Sequence, residues 1–198
     1  MRRGARLGRQ VALTFDDGPG DATASVLDAL GALELRATFF VIGQQVAERA
    51  GLLARMVGDG HEVGVHAWEH PDLGAEPGRA AQEIDRCAAA VRDAAGRAPQ
   101  VFRPPFGSYT PAVVEDATAR GLRTILWDVN PHDHAGGDAT ADTITTDVLG
   151  AVRRGSIVVL HDGGPLDSRR RVLDALPRIA AGLRERGLKP VTVPELLA

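Results

Sequence analysis

Residues 11–19 read VALTFDDGP, an apolar run that ends in a polar turn. The β-branched and aromatic side chains of Val11–Phe15 predict a buried strand, because such side chains pack well on a pleated surface. The turn is followed by Ala22–Leu33, in which Leu27 and Leu30 fall on one helical face. This stretch therefore predicts a strand, a polar loop and a helix in succession.

The same succession recurs along the rest of the chain. The further predicted strands are Ala37–Ile42, Glu62–Val65, Val101–Phe102, Leu122–Trp127, Ser156–Leu160 and Pro190–Val193. The further predicted helices are Val46–Asp59, Glu76–Ala95, Pro111–Ala119, Ala141–Arg153 and Arg170–Arg186. Strands that alternate with helices indicate parallel strands joined by crossover helices. About seven such units in 198 residues favour a compact barrel over an open sheet. The predicted fold class is therefore α/β, a distorted (β/α)7-type barrel of parallel strands.

The composition is that of an ordinary single domain. The chain has 198 residues, of which 44% are hydrophobic and 25% are charged, enough to bury a core. The formal net charge of -3 argues against a nucleic-acid partner. Basic residues gather at Arg169–Arg171 and in the amino-terminal tail, residues 1–10, and solvated arginines are the preferred interpretation of both. Those of the tail are Arg2, Arg3, Arg6 and Arg9.

The sequence carries no sign of a membrane span or a disulfide bond. It has no apolar run of about 18 residues, and its first ten residues lack the apolar segment of a signal peptide. The protein as it stands is expected in the cytoplasm, and outside the cell if a leader has been cleaved. Cys87, the only cysteine, lies in an alanine-rich run and is predicted to be a buried helix residue rather than a nucleophile.

Two adjacent carboxylates, Asp16 and Asp17, stand where the first predicted strand ends. Functional residues of such barrels lie in the loops at the carboxyl ends of the strands. Two carboxylates side by side in a half-buried place repel each other, and a nearby cation would remove that penalty. The alternative is a plain surface turn, since Asp-Gly-Pro is favourable turn chemistry.

Two histidines, His66 and His70, follow the third predicted strand at positions i and i+4. At this spacing they would share one face of a helical turn, about 6 Å apart, which suits a common metal ion. One aspartate and two histidines give three protein ligands and leave a place for water, the pattern of a catalytic zinc site. Two unrelated surface histidines are the alternative.

Three further loops at the same predicted end carry polar or ionisable residues. Residues 103–107 read RPPFG, in which two prolines stiffen the loop and leave the N–H groups of Phe106 and Gly107 free to point into the site. Residues 127–134 read WDVNPHDH, and the strand Ser156–Leu160 delivers His161, an acid or base candidate. The alternative for residues 103–107 is a rigid connection, and that for residues 127–134 is an Asx turn. The alternative for His161 is a structural histidine. Ionisable residues in five loops at one barrel end argue against independent accidents.

Taken together, these residues resemble the NodB-type polysaccharide deacetylases, which form carbohydrate esterase family 4. That family includes chitin, chitooligosaccharide and peptidoglycan deacetylases and some acetylxylan esterases. The resemblance runs from about Val11 to Leu197 and rests on the TFDDGP motif of residues 14–19 together with the histidine pair. Ala37–Gly43 and Val191–Leu197 also look like the family. Residues 11–198 are therefore interpreted as a NodB homology catalytic domain.

The resemblance implies a role for each residue of these motifs. The implied metal ligands are Asp17, His66 and His70. The implied catalytic residues are the general base Asp16 with its partner Arg103, and the general acid His161 with its partner Asp133. The backbone N–H of Phe106 would help to hold the oxyanion. The implied substrate-binding residues are Pro105, Trp127, His134 and Val159.

Five positions depart from the family pattern and leave the catalytic set complete. They are Ala67 for Ser or Thr, Phe106 for Tyr, Asn130 for Asp, His134 for Trp and Val159 for Leu. The change at Ala67 removes a hydrogen bond near the metal ligands, whereas Phe106 keeps its backbone donor. The other changes alter the predicted groove wall near His161, so they leave the identity of the substrate open.

The resemblance implies a metal-dependent hydrolase that removes N-acetyl groups from an N-acetylated amino sugar or polysaccharide. Zinc is the favoured ion, with cobalt and nickel as alternatives. The expected partner is an N-acetylated carbohydrate or a related small molecule, and a monomer is expected. The alternatives are an acetyl ester or small amide hydrolase of the same fold, and a carbohydrate-binding protein that has lost turnover. The intact set of motif residues argues against the last of these.

Overall fold

The structure is a computed structural model that describes residues 1–4, 8–134 and 139–198. Its strands are β1 (Gln10–Asp16), β2 (Thr38–Val41), β3 (Glu62–Val65), β4 (Val101–Phe102), β5 (Arg123–Thr124), β6 (Ile157–His161) and β7 (Lys189–Pro190). Its α-helices are α1 (Thr23–Ala32), α2 (Gly43–Glu48), α3 (Ala50–Gly58), α4 (Ala80–Ala95), α5 (Pro111–Ala119), α6 (Ala141–Ala151), α7 (Leu166–Glu185) and α8 (Val193–Leu196). Short 3-10 turns occupy Pro77–Arg79 and Pro105–Gly107.

The strands of the described residues form one parallel sheet. Its order is β5-β4-β3-β2-β1-β6, and β7 pairs with the start of β1. Beyond β5 the chain runs towards β6, where Val129 forms a parallel bridge with Val158. The sheet therefore curls into a half-barrel whose two ends approach each other. This arrangement confirms the predicted α/β fold of the (β/α)7 type.

Alternation along β1 separates the two faces of the sheet. Leu13 and Phe15 pack in the cluster that joins the sheet to the helices, whereas Ala12 belongs to a second buried cluster inside the barrel. Because side chains alternate across a strand, Thr14 and Asp16 share the inner face with Ala12. The alternation of side chains along this strand thus directs Asp16, the first carboxylate of the pair, into the barrel.

The predicted helix over residues 46–59 consists of two helices in the structure. Arg49 leaves the helical region, with φ -132° and ψ 39°, and separates α2 from α3. Its carbonyl accepts the backbone N–H of Leu52, so the second helix begins at once. A break of a single residue leaves the apolar spacing almost unchanged, which is why the sequence pattern runs through it.

Three other predicted boundaries also move. The predicted strand Leu122–Trp127 is reduced to β5, because the chain turns towards β6 soon afterwards. The predicted helix Glu76–Ala95 begins with a 3-10 turn, and the predicted helix Arg170–Arg186 begins earlier, at the start of α7.

The prediction of solvated arginines is wrong for Arg3, whose Nε lies 3.1 Å from a carboxylate oxygen of Asp128. Arg6 lies outside the described residues.

Two simpler expectations agree with the structure. Cys87 is fully buried on α4, and burial raises the pKa of its thiol to about 12, so the thiolate is suppressed. Within the residues that the structure describes, every helix is too short or too polar to cross a membrane.

The predicted last strand, Pro190–Val193, is only partly a strand. Pro190 pairs with Val11 in β7, but Thr192 already caps α8. The Thr192 hydroxyl and backbone N–H both donate to the Glu195 carboxylate, at 3.0 and 2.9 Å, and the Glu195 N–H returns to the hydroxyl oxygen. This capping box starts a helix where the β-branched residues alone suggested a strand.

Replacing Thr192 with alanine is expected to lower the free energy of unfolding by about 1 kcal/mol, because the cap of α8 is lost. Urea denaturation followed by circular dichroism measures the change. The matched control is Thr118→Ala, since the Thr118 hydroxyl is exposed and bonds only within its own helix. We expect the control to change stability by less than about 0.5 kcal/mol, and equal effects in both variants would contradict the role of the cap.

Candidate active site

The turn after β1 carries the two adjacent carboxylates. Asp16 ends the strand and is only 2% exposed, whereas Asp17 has φ 72°, in the left-handed region that aspartate tolerates. The turn is anchored to its neighbouring strands. The carbonyl of Gly18 accepts the N–H of Ile42 at 2.8 Å, and the carbonyl of Asp16 accepts the N–H of Asp162 at 3.1 Å. These bonds fix the backbone from which both carboxylates project.

The segment from His66 to His70 is a loop, so the expectation of a helical turn is wrong. Ala67 and His70 both have φ 69°, which no continuous α-helix allows. The two imidazoles nevertheless meet, with ring centroids 5.1 Å apart. The i, i+4 spacing correctly predicted that the two histidines lie together. The reason was different, because a bent loop and not a helical turn brings the rings together.

Glu83 holds this loop in place, and sequence reasoning missed it. One of its carboxylate oxygens accepts the backbone N–H groups of Trp68 and Glu69, at 2.8 and 2.9 Å. The other oxygen accepts a hydrogen bond from Arg79 at 2.7 Å. The available signal was an acidic residue on the otherwise apolar face of α4, where Glu83 is only 4% exposed.

The side chains of Asp17, His66 and His70 converge. Oδ1 of Asp17 lies 3.4 Å from Nε2 of His66 and 3.2 Å from Nε2 of His70. A tetrahedral ion with ligand bonds of about 2.0–2.1 Å holds its ligand atoms about 3.3 Å apart. Both distances therefore match the spacing between two ligands of one metal ion, and one ligand atom of each of the three residues lies within 4.8 Å of the others.

Hydrogen bonding fixes the orientation of the His66 ring. A carbonyl only accepts, so Nδ1 of His66 donates to the carbonyl of Arg103 at 2.7 Å, and Nε2 is the ring nitrogen that faces Asp17. Among the described residues, Oδ1 of Asp17 is a buried oxygen without a hydrogen-bond partner. Burial favours the neutral acid, but His66 and His70 outweigh it and lower the pKa of Asp17 well below its usual range. A charged carboxylate beside two imidazole nitrogens suits a divalent cation.

Asp16 forms a buried ion pair with Arg103. Nη1 of Arg103 donates to Oδ1 of Asp16 and to the hydroxyl of Thr14, each at 2.7 Å. The guanidinium is fully buried and lies 4.1 Å from the ring centroid of Phe40. Oδ2 of Asp16 remains 4.0 Å from Nε2 of His66, so this oxygen is the one presented towards the histidines.

Of the two N–H groups that were predicted to be free in the loop after β4, one is engaged in a turn. The N–H of Gly107 donates to the carbonyl of Pro104 at 3.0 Å, so it closes a turn and does not point into the site. Phe106 has φ 59°, and its own N–H donates to no acceptor among the described residues. The Phe106 ring is 66% exposed and lies against His70, with ring centroids 4.5 Å apart.

His161, the last residue of β6, is held by Asp133 at two points. Nδ1 of His161 donates to Oδ1 of Asp133 at 2.8 Å, and its backbone N–H donates to Oδ2 at 2.9 Å. Burial lowers the pKa of His161, but the hydrogen bond to Asp133 and the nearby carboxylates outweigh burial and raise it. Since Nδ1 is engaged, Nε2 is the nitrogen that remains for a substrate.

These residues meet at one cavity of about 290 Å³. Its wall consists of the two adjacent carboxylates, five histidines, two aromatic residues and two other side chains. They are Asp16, Asp17, His66, His70, His132, His134, His161, Phe106, Trp127, Asn130 and Val159. Arg103 and Asp133 are buried behind this wall and act on it through Asp16 and His161. Pro105 is the one predicted substrate-binding residue that does not reach the cavity, because its ring is buried at the start of the 3-10 turn.

Two further features near the cavity were not predicted. Asp162 is fully buried, its Oδ2 accepts the Thr23 hydroxyl at 2.5 Å, and burial raises the pKa of its carboxyl to about 7. A neighbouring cavity of about 460 Å³ touches Asp17 and is lined by Gln45 and Arg49, among others. The only signal for Gln45 and Arg49 was their position after the carboxyl end of β2. Asp17 and His70 line both cavities, which therefore adjoin at the metal-ligand candidates.

Comparisons with known proteins agree with this geometry. A family model described as polysaccharide deacetylase matches residues 3–125. The chain is 40% identical over 200 residues to a chitooligosaccharide deacetylase of Bradyrhizobium sp. (strain ANU 289), covering 95% of this chain and 90% of that protein.

Solved structures give the same result. The crystal structure of a peptidoglycan N-acetylglucosamine deacetylase matches with a TM-score of 0.93 at 31% identity, covering 99% of this chain and 91% of that chain. A pseudoenzyme of carbohydrate esterase family 4 from Bacillus anthracis matches with a TM-score of 0.88 at 26% identity, covering 100% of this chain and 68% of that chain. The chain therefore belongs to the NodB-type polysaccharide deacetylases, carbohydrate esterase family 4.

Proposed function

We propose that this polysaccharide deacetylase is a metal-dependent hydrolase that removes N-acetyl groups from an N-acetylated amino sugar or polysaccharide. The observation that carries the proposal is the convergence of Asp17, His66 and His70 on one point of a cavity that Asp16 and His161 also line. A metal site with an open position, a carboxylate and an imidazole in one cavity are the parts that amide hydrolysis needs.

Zinc is the proposed ion, with cobalt and nickel as alternatives, because two imidazoles and one carboxylate suit borderline divalent metals. Asp17, His66 and His70 would hold it. When bound, such an ion polarises the acetyl carbonyl and lowers the pKa of the attacking water.

The residues of the chain then account for the proton transfers. Oδ2 of Asp16 takes a proton from the attacking water, while Arg103 holds Oδ1 in place. The oxygen of that water forms a bond to the acetyl carbon, and the N–H of Phe106 donates to the developing oxyanion, an interaction worth about 3–4 kcal/mol for a good donor. Nε2 of His161 gives its proton to the amide nitrogen as the carbon–nitrogen bond breaks. Acetate and the free amine leave.

The alternatives of the same fold remain open to test. An acetyl ester or a small amide presents the same carbonyl and fits the same sequence of steps. A carbohydrate-binding protein without turnover is a further alternative, since one similar structure is named a pseudoenzyme. The Arg103–Asp16 ion pair and the Asp133–His161 hydrogen bond favour turnover, because a binding protein has no need of them.

Acetate release tests the proposed function directly. The panel contains N-acetylglucosamine oligomers, acetylated xylan and small N-acetyl amides, each assayed with zinc and with a chelator. We expect acetate from the N-acetylglucosamine oligomers, loss of that activity with the chelator, and recovery when zinc is restored. Equal rates with and without chelator would exclude the metal, and release from xylan or from small amides alone would favour the corresponding alternative.

Replacing Asp133 with asparagine is expected to move the alkaline limb of the pH–rate profile to lower pH by about one unit. His161 must be protonated to act as an acid, so activity falls as the pH rises through its pKa. Asp133 raises that pKa, and its neutral replacement lowers it. The matched control is Asp142→Asn, which alters an exposed carboxylate on α6. An unchanged alkaline limb in Asp133→Asn would mean that another group supplies the proton.

A further inference from the structure

A second group of side chains able to bind a metal lies in the active-site cavity. It consists of Asp133, His134 and His161, here called the acid-side cluster. One nitrogen or oxygen of each residue lies within 4.8 Å of the corresponding atoms of the other two. The cluster shares no residue with the set of Asp17, His66 and His70.

The two histidine pairs of the cavity have nearly the same geometry. The ring centroids of His134 and His161 are 4.9 Å apart, with an angle of 63° between the ring planes. The corresponding values for His66 and His70 are 5.1 Å and 61°. The rings of His134 and His161 are therefore as close to each other as those of His66 and His70.

Hydrogen bonding leaves Nε2 of His161 available. Its Nδ1 donates to the buried carboxylate of Asp133, so Nε2 is the nitrogen that can act as a ligand. A carboxylate behind a histidine fixes the orientation of the ring and increases its strength as a metal ligand. Asp133 lies behind the ring, so it acts on an ion at Nε2 through His161 rather than by contact. His134 is exposed in the same cavity wall, so an ion can reach the cluster from solvent.

We propose that the acid-side cluster is a second binding site for a divalent zinc ion. Imidazole nitrogens next to a carboxylate suit zinc. The site is weaker than the first one, because His134 is exposed and an ion bound at the first site repels a second cation. Binding converts a protonated His161 into a ligand and releases that proton to solvent.

Occupation of this site has a consequence for activity, and this part rests on the proposed function. A zinc ion on Nε2 of His161 removes the proton that the leaving amine requires. It also fills part of the cavity that the substrate would enter. Excess zinc therefore inhibits the enzyme that zinc at the first site activates.

Equilibrium dialysis of the full chain against graded zinc chloride tests the binding, with the metal content read by mass spectrometry. The wild-type protein should take up two equivalents, the second at higher zinc concentration. His134→Ala should take up only the tighter equivalent, and Asp17→Asn should retain the weaker one. A wild-type protein that saturates at one equivalent, or a His134→Ala variant that binds two, would overturn the proposal.

The matched control is His132→Asn. It removes an imidazole from the same loop, 6.1 Å from the ring of His134, but no member of the cluster. Asparagine also tolerates the positive φ of 53° at this position. We expect this variant to keep the second equivalent, and its loss here would reject the assignment to Asp133, His134 and His161.

Acetate release at increasing zinc gives a separate measurement. Inhibition of the wild-type protein by excess zinc should disappear in His134→Ala, when each rate is compared with the rate of the same variant at one equivalent. Inhibition that persists unchanged in His134→Ala would overturn the inhibitory role. If no substrate releases acetate, the proposed function fails, while the dialysis result still decides whether the second site exists.

Discussion

Replacing Asp16 with asparagine is expected to lower kcat by about 10²–10⁴-fold while zinc stays bound at the first site. Asparagine keeps an oxygen that accepts the hydrogen bond of Arg103, but its amide cannot take a proton from water. The ligand candidates Asp17, His66 and His70 are untouched by the change. Acetate release at saturating substrate and the zinc content of the same sample measure the two effects.

The variant also leaves the guanidinium of Arg103 without its charged partner, so the folded fraction has to be measured under assay conditions. Circular dichroism gives that fraction, and the rate is expressed per folded molecule. Asp17→Asn is the matched control, because it makes the same chemical change one residue away. We expect this control to lose the zinc of the first site and its activity together. Near wild-type turnover of folded Asp16→Asn would remove Asp16 from the role of base.

Most of the fold was predictable, because the apolar runs that form buried strands are separated by periodic helical segments. The errors occurred where hydrogen bonds of one or two residues decide the structure. A single non-helical residue, Arg49, divides a helix, and the reciprocal bonds of Thr192 and Glu195 turn the end of a predicted strand into α8. Hydrophobic periodicity does not register such local bonds.

The candidate site was predictable where its residues stand together in motifs, as Asp16 and Asp17 do. The residues that support the site from elsewhere in the fold were missed. Glu83 binds the histidine loop from a distant helix, and Asp162, which follows β6, accepts the hydroxyl of Thr23 at the start of α1. Neither contact leaves a pattern in the sequence, because each joins elements that are far apart along the chain. Pro105 shows the opposite error, since a residue inside a motif is not thereby at the cavity wall.

Replacing Arg103 with leucine is expected to lower the free energy of unfolding by about 3–5 kcal/mol. The side chain is fully buried and donates to both Asp16 and Thr14 at 2.7 Å. Without it, Asp16 is left as a buried charge with no compensating partner. Urea denaturation of the metal-free protein is the suitable measurement, because a bound ion would add its own stabilisation to the folded state.

The double variant Asp16→Leu/Arg103→Leu separates the value of the ion pair from the penalty of leaving one charge unpaired. Apolar replacement of both partners of a buried pair is often close to neutral, so the double variant should be more stable than Arg103→Leu alone. The exposed pair of Arg178 and Asp142 is the comparison, and Arg178→Leu should change stability by only about 0–1 kcal/mol. A double variant as unstable as the sum of its single changes would show that Asp16 and Arg103 do not depend on each other. Their burial behind the cavity wall would then need a different explanation.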